Sequence, residues 1–133
     1  LALGAARARG AHRIIVVAGD GGRLDHLLAG LLALTDPHLA AVEIEAWIGD
    51  AWARPLHGPG RAALRGRADE VVTLVAIGGE AQGVRTAGLL YPLRGETLFP
   101  SSTRGVSNVF EETEAEVWLD EGTLLIIRPE ALA

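Results

Sequence analysis

The hydrophobic positions of this chain change their period once, and the change divides it in two. Residues 1–9 are rich in Ala, Leu and Arg, as at the end of a helix, and Gly10 stands where a C-terminal glycine would stop it. Residues 13–18 (RIIVVA) form an unbroken, mostly β-branched run, the pattern of a strand buried on both faces. Gly19, Asp20, Gly21 and Gly22 follow as a tight loop. Leucines at 24, 27, 28, 31, 32 and 34 then recur near helical spacing, and Thr35-Asp36-Pro37 ends the helix. Residues 42–47 return to a strand pattern. The order helix, strand, glycine loop, helix, strand predicts the remnant of a parallel α/β layer.

Beyond Gly49-Asp50 no long helical pattern recurs. Short strand-like runs at 51–56, 62–67, 70–77, 83–86, 115–119 and 124–128 are separated by glycine-rich turns. His57-Gly58-Pro59-Gly60 is one such turn, and Asp120-Glu121-Gly122 reads as a hairpin turn. Ala115, Val117 and Leu119 alternate with Glu114, Glu116 and Trp118, which predicts a strand with one wet face. This half predicts an antiparallel β-sandwich lobe. The expected fold class is therefore α/β plus all-β, with residues 1–48 in the first part and 49–133 in the second.

Composition narrows the chemistry. With 133 residues, 49% of them hydrophobic, the chain can bury a core without staples. It has no cysteine, which excludes disulfides, thiolate metal sites and thiol nucleophiles. All twelve basic residues are Arg, so no lysine can serve as a base or phosphate anchor. A net charge of −5 argues against a nucleic-acid partner, and no run approaches the ~18 apolar residues of a membrane span. The chain lacks methionine and opens Leu-Ala-Leu with no signal-peptide pattern, so a piece of a longer protein is expected.

Two segments can carry chemistry. The first is Gly19-Asp20-Gly21-Gly22-Arg23-Leu24-Asp25-His26, between strand and helix. Glycines there let backbone N–H groups approach an anion, and the helix N-terminus adds a field that suits phosphate. Arg23 can bond phosphate oxygens in pairs, and Asp25 can hold a metal ion or accept a proton. The spacing is equally satisfied by a tight turn with Asp25 and His26 in the first helical turn. The second segment, residues 101–108 (SSTRGVSN), has the hydroxyl and amide groups that recognise a polar heterocycle, and the pattern also fits a solvated loop. His12, His38 and His57 show no metal-ligand spacing, and the acidic run 111–114 reads as a solvated edge. Trp47, Trp52, Trp118 and Tyr91 read as core or interface residues before ligand platforms.

Four segments in order resemble one family. Gly21 to His26 (GGRLDH) after a strand resembles the GGRxDH/Q signature of thiamine pyrophosphokinases. Residues 83–93 (GVRTAGLLYPL) resemble their GVxTxGLxYPL segment, and 105–108 (GVSN) their GxSN segment. Residues 121–127 (EGTLLII) match their closing strand.

The resemblance implies an N-terminal α/β domain that binds ATP and a C-terminal β-sandwich that binds thiamine. It implies a cytoplasmic homodimer with thiamine held between lobes of different subunits. The reaction would transfer the terminal diphosphate of ATP to the thiamine hydroxyl, with Mg²⁺ as cofactor and AMP as the second product. Carried over residue by residue, Gly21, Gly22 and Arg23 would contact ATP phosphates. Arg23 and Asp25 would be catalytic, and Asp25 would lie near the metal ion or the thiamine hydroxyl. Ser107 and Asn108 would bond the thiamine pyrimidine, and Tyr91 would wall the site. His26 stands where the family shows His or Gln, which suits a hydrogen-bonding role. The family's upstream acidic motifs, DGDFDS-like and KDxTD-like, are missing from this sequence, and residues 1–10 look like the helix after the second. The isolated chain is therefore expected to be inactive or weak, because phosphoryl-type transfer depends on positioning and charge neutralisation. The competing expectations are a non-catalytic thiamine-binding or dimerisation module, and a related diphosphokinase acting on a pterin-like alcohol.

Overall fold

The computed structural model describes residues 2–19 and 21–133, so Leu1 of the expected first helix and Asp20 of the glycine loop lie outside the described residues. Helix α1 (Ala2–Ala8) leads to strand β1 (Arg13–Ala18) and helix α2 (Leu24–Ala33). A short 3-10 helix (Pro37–Leu39) precedes β2 (Glu43–Ile48). Asp36 caps it by accepting the His38 N–H at 2.9 Å. Eight strands follow: β3 (Ala51–His57), β4 (Gly60–Arg65), β5 (Val71–Ala76), β6 (Ala81–Ala87), β7 (Arg94–Leu98), β8 (Asn108–Val109), β9 (Glu114–Leu119) and β10 (Thr123–Arg128). Among the described residues no helix is long and apolar enough to cross a membrane.

Two sheets result, a six-stranded one in the order β1-β2-β3-β10-β5-β8 and a four-stranded one in the order β4-β9-β6-β7. β1 and β2 pair in parallel, with α2 as the crossover. β2 and β3 pair antiparallel across the Gly49-Asp50 turn, so one ladder runs from the helical part into the sandwich. The six-stranded sheet is coated on both faces. One face packs Ile44, Ala46, Ala53 and Leu125 under Leu31, Leu34 and Leu39 of the helical segments. The other packs Leu74, Leu124 and Ile126 against Leu64, Val84, Val117 and Leu119 of the second sheet. In β9 the alternation holds as expected, with Ala115, Val117 and Leu119 buried.

Three expectations are corrected. β1 is not buried on both faces. Ile14 and Val16 face the helical core, whereas Ile15 and Val17 are 51% and 79% exposed. The cause is position: β1 is the sheet edge, and the four-stranded sheet pairs and packs farther along. Second, Asp120–Gly122 is not a hairpin turn, because β9 lies in the small sheet and β10 in the large one. The turn is a crossing between sheets, stacked on a second crossing through a Gly58 N–H to Gly122 carbonyl bond of 2.9 Å. Gly122 has φ 98° and its Cβ position abuts the Glu80 and Ala81 backbone, so a side chain is excluded on both counts. Third, β7 (RGETL) forms where no strand pattern is visible, since an edge strand with mostly exposed side chains needs no apolar alternation.

His57, at the end of β3, meets Thr123 Oγ1 with Nδ1 at 3.2 Å, while its Nε2 is buried with no partner among the described residues. Burial holds the imidazole below its ordinary value of 6.5, against a smaller opposing pull from the Asp36 carboxylate. The unfolded chain therefore takes up a proton on His57 that the folded chain resists. The melting temperature is expected to be flat above pH 6.5 and to fall as the pH descends below it. His57→Gln should flatten that decline in melting curves taken between about pH 5 and pH 8. An unchanged slope in the variant would assign the effect elsewhere.

Candidate functional site

β1 ends at Ala18, the glycines turn the chain, and Arg23 takes the N-cap position of α2 with extended backbone and no side-chain cap. Gly22 has φ 99°, which a side chain rarely tolerates, and open space surrounds the Cβ positions of Gly19, Gly21 and Gly22. Arg23 folds onto Asp25 through a bidentate pair, Nε to Oδ1 at 3.1 Å and Nη2 to Oδ2 at 2.6 Å. Asp25 Oδ1 also accepts the His26 N–H at 2.9 Å. Both charged groups face solvent. A cavity of about 230 Å³ opens beside them between β1 and α2, lined by Ala18, Gly19, Gly21, Arg23 and His26 at its polar end. The arrangement can receive an anion: glycine backbone, a helix N-terminus and a guanidinium adjoin one cavity.

It does not by itself fit a magnesium site. Among the described residues no three His, Asp or Glu side chains converge, and Asp25 is already engaged by Arg23. Asp25 can be at most one ligand of such an ion, which normally needs octahedral oxygen donors.

The other predicted residues gather at the far edge of the large sheet. Asn108 opens β8 and is 4% exposed. Its side-chain Nδ2 donates to the Tyr91 carbonyl at 2.8 Å, and its Oδ1 accepts the N–H groups of Tyr91 at 3.0 Å and Val109 at 2.9 Å. Ser107, exposed, holds a left-handed φ of 59°, and its N–H donates to Thr73 Oγ1 at 3.0 Å. Tyr91 is 55% exposed, so it is not a core residue, unlike Trp52. Leu90 and Val106, next in sequence to Tyr91 and Ser107, are exposed as well.

Sequence reasoning missed Thr73 and Thr86. Thr86 closes the loop carrying Tyr91, its Oγ1 accepting the Leu93 N–H at 2.9 Å while its own N–H donates to the Leu93 carbonyl at 3.0 Å. The signal for Thr73 was present: it is the one hydroxyl residue in the apolar run VVTLVA.

The structure brings Tyr91, Ser107 and Asn108 together and leaves Arg23 and Asp25 apart from them. β1 and β8 are the opposite edges of the six-stranded sheet. Five strand spacings separate them, about 24 Å at ~4.8 Å each.

Residues 63–124 match the family described as thiamin pyrophosphokinase, vitamin B1 binding domain. No curated protein sequence matches the chain. Among solved structures, the chain is similar to a thiamine pyrophosphokinase from Bacillus subtilis, at 20% identity and TM-score 0.84, over 96% of this chain and 60% of that one. It is similar to a thiamin pyrophosphokinase from Geobacillus thermodenitrificans at 26% identity and TM-score 0.80, over 98% and 61%. For the thiamin pyrophosphokinase from Candida albicans the values are 16% and 0.72, over 86% and 43%. The chain thus spans about three-fifths of the two bacterial proteins.

Proposed function

We propose, from the match of residues 63–124 to the thiamin pyrophosphokinase vitamin B1 binding family, that this chain works within a thiamine diphosphokinase. In that reading residues 1–48 belong to the ATP-binding α/β part and 49–133 form the thiamine-binding sandwich. The glycine loop and Arg23 hold the phosphates of ATP. Tyr91, Ser107 and the underlying Asn108 form the face that takes the vitamin. The hydroxyl oxygen of thiamine attacks the β-phosphorus, the bond from that phosphorus to the α,β-bridging oxygen breaks, and AMP leaves with that oxygen. The hydroxyl proton passes to an acceptor, for which Asp25 is the nearest carboxylate to Arg23. Arg23 and the loop N–H groups offset the charge that builds on the leaving oxygens, and alignment supplies most of the remaining rate.

The observation that carries this reading is the separation of the two half-sites at opposite sheet edges. Neither is complete within one chain. A symmetric dimer can set the loop of one copy against the Tyr91–Ser107 face of the other, twice, through one two-fold axis. The relatives are longer than this chain, and the exposed Ile15, Val17, Leu24 and Leu28 offer an apolar seam for further α/β structure bearing acidic motifs. The confinement of the family match to residues 63–124, within the sandwich, favours a second reading, in which this chain alone binds thiamine without turnover.

Subunit complementation tests the proposal. Full protein carrying Arg23→Ala is co-expressed with full protein carrying Tyr91→Ala and Ser107→Ala. Each variant alone should be nearly inactive in thiamine-dependent AMP release. Random reassortment makes half the dimers mixed, each with one intact site, so about a quarter of normal activity should return. No recovery in verified mixed dimers would place both half-sites in one chain and defeat the arrangement. AMP release with a pterin alcohol and not with thiamine would reassign the substrate.

A further inference from the structure

We infer that Asn108 and Thr73 are positioning residues, which set the vitamin-facing surface through the backbone of Tyr91 and Ser107. The inference rests on the thiamine reading above and refines it.

The geometry points away from a direct ligand role for Asn108. Its side chain is buried, and three of its four hydrogen-bonding capacities are occupied inside the protein. Oδ1 and Nδ2 grip the N–H and carbonyl of the same residue, Tyr91. That two-point contact imitates a ladder pairing, and it continues the real one: the Leu90 N–H donates to the Val109 carbonyl at 2.9 Å, and Leu89 bridges Phe110. The amide thereby extends the sheet edge by one residue and fixes the point from which the exposed Tyr91 ring projects.

Thr73 does the same for Ser107. A left-handed serine is an unfavourable conformation for a residue with a Cβ. Two contacts to β5 hold it there. Gly105 gives its carbonyl to the Leu74 N–H at 2.8 Å, and Ser107 gives its N–H to Thr73 Oγ1. Ser107 itself remains exposed. Two buried or half-buried polar groups thus spend their bonds on backbone, while the two exposed side chains they carry stay available.

The test uses the full protein and thiamine binding by calorimetry, with Mg-ATP binding as the internal reference. Thr73→Val keeps shape and removes the acceptor, Thr73→Ser restores it, and Asn108→Asp keeps size but removes the Nδ2 donor. Thr73→Val and Asn108→Asp should weaken thiamine about tenfold, the usual worth of one positioned hydrogen bond, with nucleotide affinity unchanged. Thr73→Ser should bind within about twofold of wild type, since its hydroxyl can accept the same N–H. If Asn108→Asp fails to fold, the Thr73 pair still decides the matter. Equal thiamine binding by wild type and Thr73→Val, or equal weakening by Thr73→Val and Thr73→Ser, overturns the positioning role alone. A wild-type protein that binds Mg-ATP and no thiamine overturns the thiamine reading and this role with it.

Discussion

Arg128→Met is expected to lower the free energy of unfolding by about 3–5 kcal/mol in urea denaturation, the usual cost of stripping one partner from a buried ion pair. Glu70 ends the loop between β4 and β5, and its side chain is 1% exposed. Arg128, at the end of β10, grips it with Nε to Oε2 at 2.6 Å and Nη2 to Oε1 at 3.1 Å. The guanidinium carbon lies 5.6 Å from the Trp52 ring centroid and 6.0 Å from that of Phe110. Arg67 supplies a weaker second cation at 3.6 Å and donates to the carbonyls of Glu130 and Ala131, both at 2.9 Å. Removing Arg128 leaves a carboxylate in a low-dielectric setting whose remaining partners among the described residues are the Arg67 guanidinium at 3.6 Å and the Arg67 backbone N–H at 3.2 Å. The double variant Glu70→Gln with Arg128→Met removes the stranded charge and should recover more than half of the loss. A double variant as unstable as Arg128→Met alone would show that the aromatic packing of the guanidinium, and not the charge pair, carries the energy.

Arg23→Ala should reduce kcat/KM for thiamine-dependent AMP release about 10²–10³-fold in the full protein, the range found when one donor to developing charge is removed. Stability should scarcely change. Arg23 and Asp25 are exposed on both sides of their contact, and such pairs contribute about 0–1 kcal/mol. The combination of large kinetic loss and unchanged melting is what separates a phosphate-binding arginine from a structural one. Arg23→Lys should recover only part of the activity, because a point charge cannot reproduce two parallel bonds to phosphate. Asp25→Asn frees Arg23 from its bidentate partner without removing bulk. Unchanged activity in that variant would take Asp25 out of the mechanism.

Where interactions are local, the primary structure already specified them. The Gly22 turn, the capped break at Asp36 and the alternation of Ala115, Val117 and Leu119 each depend on neighbours a few residues away. The motif residues were legible for the same reason. Gly88 turns the chain with φ 80°, and Thr86 closes its own loop seven residues on. Their spacing within the motif therefore encodes a backbone path. Partnership across the fold was not legible. RIIVVA reads as doubly buried, yet half of it faces solvent because β1 ends a sheet, and edge position is a property of strand order. Asp120–Gly122 looks like any hairpin turn, and only the packing of two sheets makes it a crossing. Asn108 reads as a ligand donor until Tyr91, seventeen residues away, is found to occupy its amide. Glu70 and Arg128 are unremarkable in sequence and meet only because β10 lies beside β5. Short-range geometry is written in residue type and spacing. Burial, pairing and the distance between the two half-sites arise when distant segments share a sheet, and tertiary structure alone decides them.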